Sequence, residues 1–231
     1  MTREEFIEKI KNEFLGINLV DVEKKIIIYS QLLNEFNKNM NLTRLDNKTL
    51  IYKNYFYESV TPYRSFDFFK INSLLDIGSG SGIPGVVLKI LYPHIHLTIV
   101  EANNKKCLFL NKLIKELSLD NIDIFNIRAE DYAHKNLERF DFITCRAVAQ
   151  LKILLELATP MCKINGLMVF PKSKNYLHEL KEAQKIIKLL KCDKYEVLSY
   201  DDFDKIIKVF VFYKDKRCDL KYPRSWQEII K

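Results

Sequence analysis

Four of the chain's six glycines, Gly78, Gly80, Gly82 and Gly85, fall within residues 78–85 of the segment LLDIGSGSGIPG. One glycine suffices for a turn, so this cluster points to a loop that a ligand approaches along bare backbone, with φ angles that side chains disfavour. Pro84, suited to the first turn of a helix, closes the loop, and amides left free at such a helix start attract an electronegative group. Gly80, Gly82 and Gly85 also satisfy the GxGxxG spacing of dinucleotide sites, so two ligand classes compete. Asp76 separates them. Two residues before Gly78, a carboxylate repels pyrophosphate and favours a phosphate-free ligand with a cationic centre. Glu101 ends the apolar run HLTIV, 21 residues after Gly80, where an acid can accept hydrogen bonds from both hydroxyls of a ribose.

The order D-x-G-x-G-x-G through Asp76, Gly78, Gly80 and Gly82 resembles the first motif of S-adenosylmethionine-dependent methyltransferases. Arg128-Ala129-Glu130-Asp131 then read as ordinary polar residues of a loop flanking the adenine. Arg146, leaving an apolar strand, is either a charged contact for cofactor or target or a surface cation. Its neighbour Cys145 could be the thiolate nucleophile of carbon-5 base methylation. The end of an apolar strand, without the Pro or Ser usual beside such cysteines, favours a packed thiol. Asn41 can read a guanine edge or cap a turn, Lys172 can meet a phosphate or solvent, and Tyr55 or Tyr57 could cover an unstacked base. His94 and His96 read as structural, and the sequence identifies no partner for His134 or His178. The five cysteines lie at least 17 residues apart without a CxxC, indicating neither a disulfide framework nor a metal site.

These residues need a scaffold that brings strand ends together. Residues 1 to about 70 read as helical: Val22, Ile26, Tyr29, Leu33, Phe36 and Met40 recur at alternating steps of four and three. Asp21 is a candidate cap for that helix, which follows a short one ending near Leu15. Asn47 is a candidate cap for a third helix through Leu50, Tyr55 and Tyr57. From Ser73, strands near 73–77, 96–100, 122–127, 141–145, 166–170, 194–199 and 207–213 alternate with helices near 85–92, 104–118, 149–160 and 175–190. Only about seven residues separate the sixth strand from the run IIKVFVF, too few for a helical crossover, so the last strand is expected to be antiparallel. The expectation is an α/β, Rossmann-like seven-stranded sheet over 71–214, with an N-terminal helical extension over 1–70 and a loosely ordered basic tail over 215–231.

At 231 residues, 48% hydrophobic and 12% aromatic, the chain can bury a real core. No apolar run approaches the roughly 18 residues of a membrane helix, and MTREEF is too polar to begin a signal peptide, so a cytosolic protein without a membrane partner is expected. The net charge of +7 suggests a polyanionic partner, although a lysine-rich composition can also reflect genome bias. Lys105, Lys106, Lys172 and Lys174 fall near the carboxyl ends of the strands, where such a partner would lie over the site.

Several further segments are more specific. Asn41-Leu42-Thr43, DIGSGSGIPG, EANNKKCLFL, Ala129-Glu130 and Arg146-Ala147-Val148-Ala149 occur in the order found in the RsmG (GidB) family of bacterial 16S ribosomal RNA guanine-N7 methyltransferases, which the chain resembles over nearly its whole length. The resemblance implies a methyltransferase sheet, S-adenosylmethionine as cofactor, and 16S ribosomal RNA or the small ribosomal subunit as partner. It also implies cofactor contacts by Gly78, Ile83, Ala129, Glu130 and Arg146. Tyr55-Phe56-Tyr57-Glu58-Ser59 departs from the His and Asp-Ser common in the family, which motivates an alternative: a non-catalytic RNA-binding ribosome assembly factor with the same fold. Thr144-Cys145-Arg146-Ala147 also lacks the Asn/Asp-Pro-Pro-aromatic motif of exocyclic-amine methylation, and guanine N7 has no proton to lose. The reading is a monomeric, metal-free enzyme with Asn41, Arg146 and Lys172 at the target and Asp76, Gly78, Gly80, Gly82, Ile83, Glu101, Ala129, Glu130 and Arg146 at the cofactor.

Overall fold

The computed structural model describes residues 1–40, 51–172, 175–202 and 205–230. Helix α1 (Arg3–Glu13) starts from Thr2, whose Oγ1 accepts from the Glu5 amide while the Glu5 carboxylate accepts from the Thr2 amide at 2.7 Å. Helix α2 (Leu19–Met40) begins earlier than expected. The Asn18 side chain, not Asp21, accepts a first-turn amide at 3.2 Å, and Asp21 pairs with Lys25 inside the helix instead. Val22, Ile26, Tyr29 and Leu33 face the core as their spacing predicts. The candidate cap Asn47 lies outside the described residues. A wide-turned π-helical stretch, Ile51–Tyr57, runs into the single turn α3 (Glu58–Val60).

The seven strands are β1 (Ser73–Ile77), β2 (His96–Val100), β3 (Ile122–Phe125), β4 (Phe140–Thr144), β5 (Cys162–Lys172), β6 (Tyr195–Asp202) and β7 (Lys205–Tyr213). They form one sheet in the order β3-β2-β1-β4-β5-β7-β6. The first five are parallel, and β7 inserts antiparallel between β5 and β6. The connecting helices are α4 (Gly85–Leu91), α5 (Asn104–Glu116), α6 (Ala129–Ala133), α7 (Leu151–Ala158) and α8 (Tyr176–Leu189). Helix α6 corrects the expectation of a plain loop at Arg128–Asp131; five residues are too few to show a helical period, and burial of Tyr132 and Ala133 fixes it.

Alternation along the strands sends side chains to two cores. Leu74, Phe142, Val209 and Val211 meet α4, α5 and the N-terminal helices. Leu75, Ile143, Phe210 and Phe212 meet α7 and α8. The segment after β7 also corrects an expectation, since it is packed rather than loose. Tyr222 and Ile229 are buried, the latter in α9 (Trp226–Ile229). Arg224 grips buried Glu156 of α7 through two bonds of 2.7 Å, because a carboxylate taken out of water requires a counter-charge.

At the amino ends of the central strands, Asp141 accepts from the Ser73 amide and hydroxyl at 2.9 Å each, from the Asn72 amide at 3.1 Å and from Lys163 at 2.7 Å. Burial raises its pKa, but the bonds from Lys163 and Ser73 outweigh this and hold the carboxyl below the ordinary range. Its stabilisation is therefore present above the unfolded pKa and lost as pH falls through the folded one. Asp141→Ala is expected to lower the unfolding free energy by about 1.5–3 kcal/mol near neutrality. Urea melts should show that deficit shrinking below about pH 4.

Candidate active site

The loop after β1 is built around Asp76. As the fourth residue of β1 its side chain points to the α4 face of the sheet, where it is fully buried. Its Oδ2 accepts from the Ser79 hydroxyl at 2.5 Å and from the Gly85 amide at 2.9 Å, tying the two ends of the glycine loop together. A Cβ on Gly85 would sit 2.6 Å from that oxygen, so the last glycine of the cluster exists to let α4 approach. Asp76 therefore supports the loop from below through Oδ2 and does not itself line the cavity, while its buried Oδ1 has no partner among the described residues. Burial, with a smaller contribution from the charge of Glu101, outweighs the two hydrogen bonds and pushes its carboxyl up to about 6.

The upper loop is held by side chains that the sequence did not single out for this role. Tyr29 of α2 donates its hydroxyl proton to the Ser81 carbonyl at 2.5 Å. The Tyr55 hydroxyl lies 2.9 Å from the same carbonyl and 2.6 Å from the Ser81 hydroxyl. Burial raises both phenols, Tyr55 to about 12, so both remain protonated donors. Tyr29 looked like a core residue because only its helical spacing is visible in sequence. Tyr55 and Tyr57 are both buried; Tyr57 donates to Glu13 at 2.6 Å and does not line the cavity above the loop, whereas Tyr55 contributes to its wall while its hydroxyl is held at Ser81.

Above the loop lies a cavity of about 740 Å³ at the carboxyl ends of β1, β2, β3 and β4. Gly78, Gly80, Ile83, Glu101, Ala129, Glu130 and Arg146 all line it, while Gly82 lies against Tyr29 beneath. Gly78 has φ +67°, and a Cβ there would meet Val148 at 2.5 Å. Glu101 accepts from the Gly80 amide at 2.9 Å through Oε2 and from the Asn103 amide at 2.8 Å through Oε1. Each oxygen keeps a second lone pair for a ligand hydroxyl. Arg146 approaches the Asn54 carbonyl at 3.5 Å through Nη2, and its buried Nη1 has no partner among the described residues. Glu58 lies 4.0 Å from Nη2, so Nη1 is the guanidinium nitrogen left to meet an anionic ligand group.

Of the remaining expected residues, one stands apart from the cavity. Lys172 is nearly buried, bound to Glu179 at 2.8 Å and to the Ala149 carbonyl at 3.0 Å, so its charge is consumed within the fold. Asn41 lies outside the described residues, as does Lys174. Lys106 lines the cavity and Lys105 is exposed beside it. Arg128, Asn54 and Trp226 also line the cavity but carried no motif. Cys145 is buried, and desolvation followed by the charge of Asp76 raises its thiol, the reverse of what a nucleophile requires. No cluster of three metal-ligating side chains occurs among the described residues.

A 3-2-1-4-5-7-6 sheet with a glycine loop after β1 and an acid after β2 defines the class of Rossmann-like methyltransferases. M. jannaschii TYW2, solved in complex with AdoMet, shares this fold with a TM-score of 0.50 and 16% identity, over 63% of this chain and 71% of that one. The pattern of the GidB family, rRNA small subunit methyltransferase G, matches residues 22–207. Proteins named ribosomal RNA small subunit methyltransferase G from Malacoplasma penetrans and Ureaplasma parvum serovar 3 are 48% and 40% identical to this chain. Both matches cover 100% of it, with 98% and 99% of the relatives' lengths. The chain belongs to the GidB family.

The raised carboxyl of Asp76 generates a test. A buried acid with a folded pKa near 6 takes up a proton more readily in the folded than in the unfolded chain, whose pKa is about 3.8, so its contribution to stability grows as pH falls through about 6. In urea melts, the stability difference between the unaltered chain and Asp76→Asn should shift in favour of the unaltered chain between pH 7 and pH 5. A constant difference over that range would show an ordinary carboxyl.

Proposed function

We propose that this protein transfers a methyl group from S-adenosylmethionine to N7 of a guanosine in 16S ribosomal RNA, in the cytoplasm and as a monomer. The observation that carries the reading is the convergence, in one cavity, of the glycine loop, a Glu101 carboxylate with acceptor capacity to spare and an Arg146 guanidinium with a buried unpaired nitrogen. These residues fit the cofactor's chemistry. Arg146 suits the carboxylate of its amino-acid end, the backbone of Gly78 and Gly80 permits close approach, and Glu101 suits the ribose. Ile83, Ala129 and Glu130 form the remaining walls. The cofactor, once bound, supplies an electrophilic methyl group on a sulfonium.

The residues here add no base and need none, because N7 attacks with a free lone pair. Cys145 stays protonated and buried, which disfavours a covalent attack on a pyrimidine ring. What the chain contributes is alignment and exclusion of water. Asn41 is the proposed contact to the guanine edge. Lys105, Lys106 and Arg128 at the rim would meet phosphates, so RNA affinity should fall steeply with salt. No described helix is long and apolar enough to cross a membrane.

Incubation with unmethylated small-subunit RNA or subunits and methyl-labelled cofactor should yield 7-methylguanosine. Label found only on a cytosine or on an exocyclic amine would refute the assignment. Glu101→Ala should weaken cofactor binding by about tenfold or more, as expected when hydrogen bonds to a charged acceptor are lost, and calorimetric titration checks it.

A further inference from the structure

Trp226 is the chain's only tryptophan, and it lies on α9, far in sequence from every motif that the function uses. It nevertheless lines the same cavity as Gly78 and Glu101. The same cavity is lined by Ile127, Arg128, Ala129 and Glu130 from the segment after β3 and by Leu157 of α7. The Arg128 guanidinium sits 5.8 Å from the indole centroid. Trp226 is half-buried, lining this cavity and also a smaller neighbouring one with Arg224 and His134.

The segment that carries it is fastened at three points. Arg224 holds buried Glu156 with its side chain through two bonds of 2.7 Å and with its amide at 3.0 Å. Tyr222 and Ile229, on either side, are buried. Ser225 and Glu228 close a capping box around the first turn of α9. This is much anchoring for a terminal segment, and its result is to fix the indole over the end of the cavity nearest β3.

Across the sheet, β1, β2 and β3 are consecutive neighbours. A ligand whose amino-acid end lies at the glycine loop after β1 and whose ribose meets Glu101 after β2 must send its base toward the segment after β3. We propose that Trp226 forms the wall against which the adenine of the cofactor packs, and that Arg224 and Glu156 position it there, making the C-terminal segment part of the cofactor site. The proposal rests on the cofactor reading above. An indole offers a flat, polarizable surface suited to a purine, while its N–H is a donor for a ring nitrogen.

The full chain should be titrated with S-adenosylhomocysteine while heat and tryptophan emission are followed in parallel. Because a single tryptophan emits, its signal should change with the calorimetric midpoint. Trp226→Ala should raise Kd about 5- to 100-fold, the range for losing one base–aromatic contact, with Trp226→Phe recovering most of it. The same loss should appear with adenosine alone, which carries the base without the amino acid; a merely structural effect on the glycine loop would not follow the base. Urea melts of both variants establish that they are folded. Undiminished binding by Trp226→Ala, with no change in emission on binding to the unaltered chain, overturns the proposal while leaving the cofactor reading intact. Absence of any binding heat in the unaltered chain overturns both.

Discussion

The site depends on a loop that cannot hold its own shape. Glycines at 78, 80 and 82, all with positive φ, give the backbone its path but bring no side chains to stabilise it, and they lose more conformational freedom on ordering than any other residue. The buried carboxylate of Asp76 meets this constraint by accepting from both ends of the loop at once. Its cost is visible in the raised pKa, and its geometric demand is visible in Gly85, whose missing side chain makes room for the oxygen. One oxygen of the carboxylate that a sequence reader would assign to a ligand is thus engaged by the loop itself, and the other, Oδ1, is buried without a partner among the described residues.

The same constraint explains why the N-terminal helices are built into the sheet's own core. The Ser81 carbonyl is not engaged by Asp76, and Tyr29 and Tyr55 reach it from α2 and from the π-helical stretch. The Tyr55 hydroxyl has one proton for two neighbouring oxygens of Ser81, so if it donates to the carbonyl the serine hydroxyl must donate back. Gly82 is again the residue that makes space, since a side chain there would run into the Tyr29 hydroxyl. Anything that displaced α2 would therefore be felt at the loop.

Much of this was legible in the sequence, and the reasons differ by residue. The strands and the antiparallel β7 followed from apolar period and from a linker too short for a helix, and Gly78, Glu101 and Arg146 followed from their places at strand ends. Helix α6 was not legible because five residues carry no period. Tyr29 was visible only as a core aromatic and Tyr55 as a candidate cover for a base, because nothing in a helical spacing reveals where a hydroxyl points. Lys172 looked like a free cation beside a strand end, and its partner Glu179 belongs to α8, a contact that only the crossover creates. Trp226 was hidden for a similar reason: a basic terminal segment gives no sign that its arginine answers a buried glutamate on α7.

The distribution of charge around the cavity follows the division of labour in the proposed reaction. Glu101 is buried and its oxygens are oriented by two amides, as a reader of neutral hydroxyls should be. Arg146 is partly satisfied through Nη2 and unsatisfied through Nη1, which suits a single carboxylate and not a run of phosphates. Lys106 and Arg128 line the cavity, Lys106 half-buried and Arg128 exposed, so these long cations can follow a flexible polyanion without being fully desolvated. A net charge of +7 is thus a weak guide to the site itself. Around the cavity Glu101 and Arg146 are fixed by contacts within the fold, and under the proposed reaction the excess of lysine matters at the rim, where long-range attraction would bring a polyanion to a centre already assembled by buried hydrogen bonds.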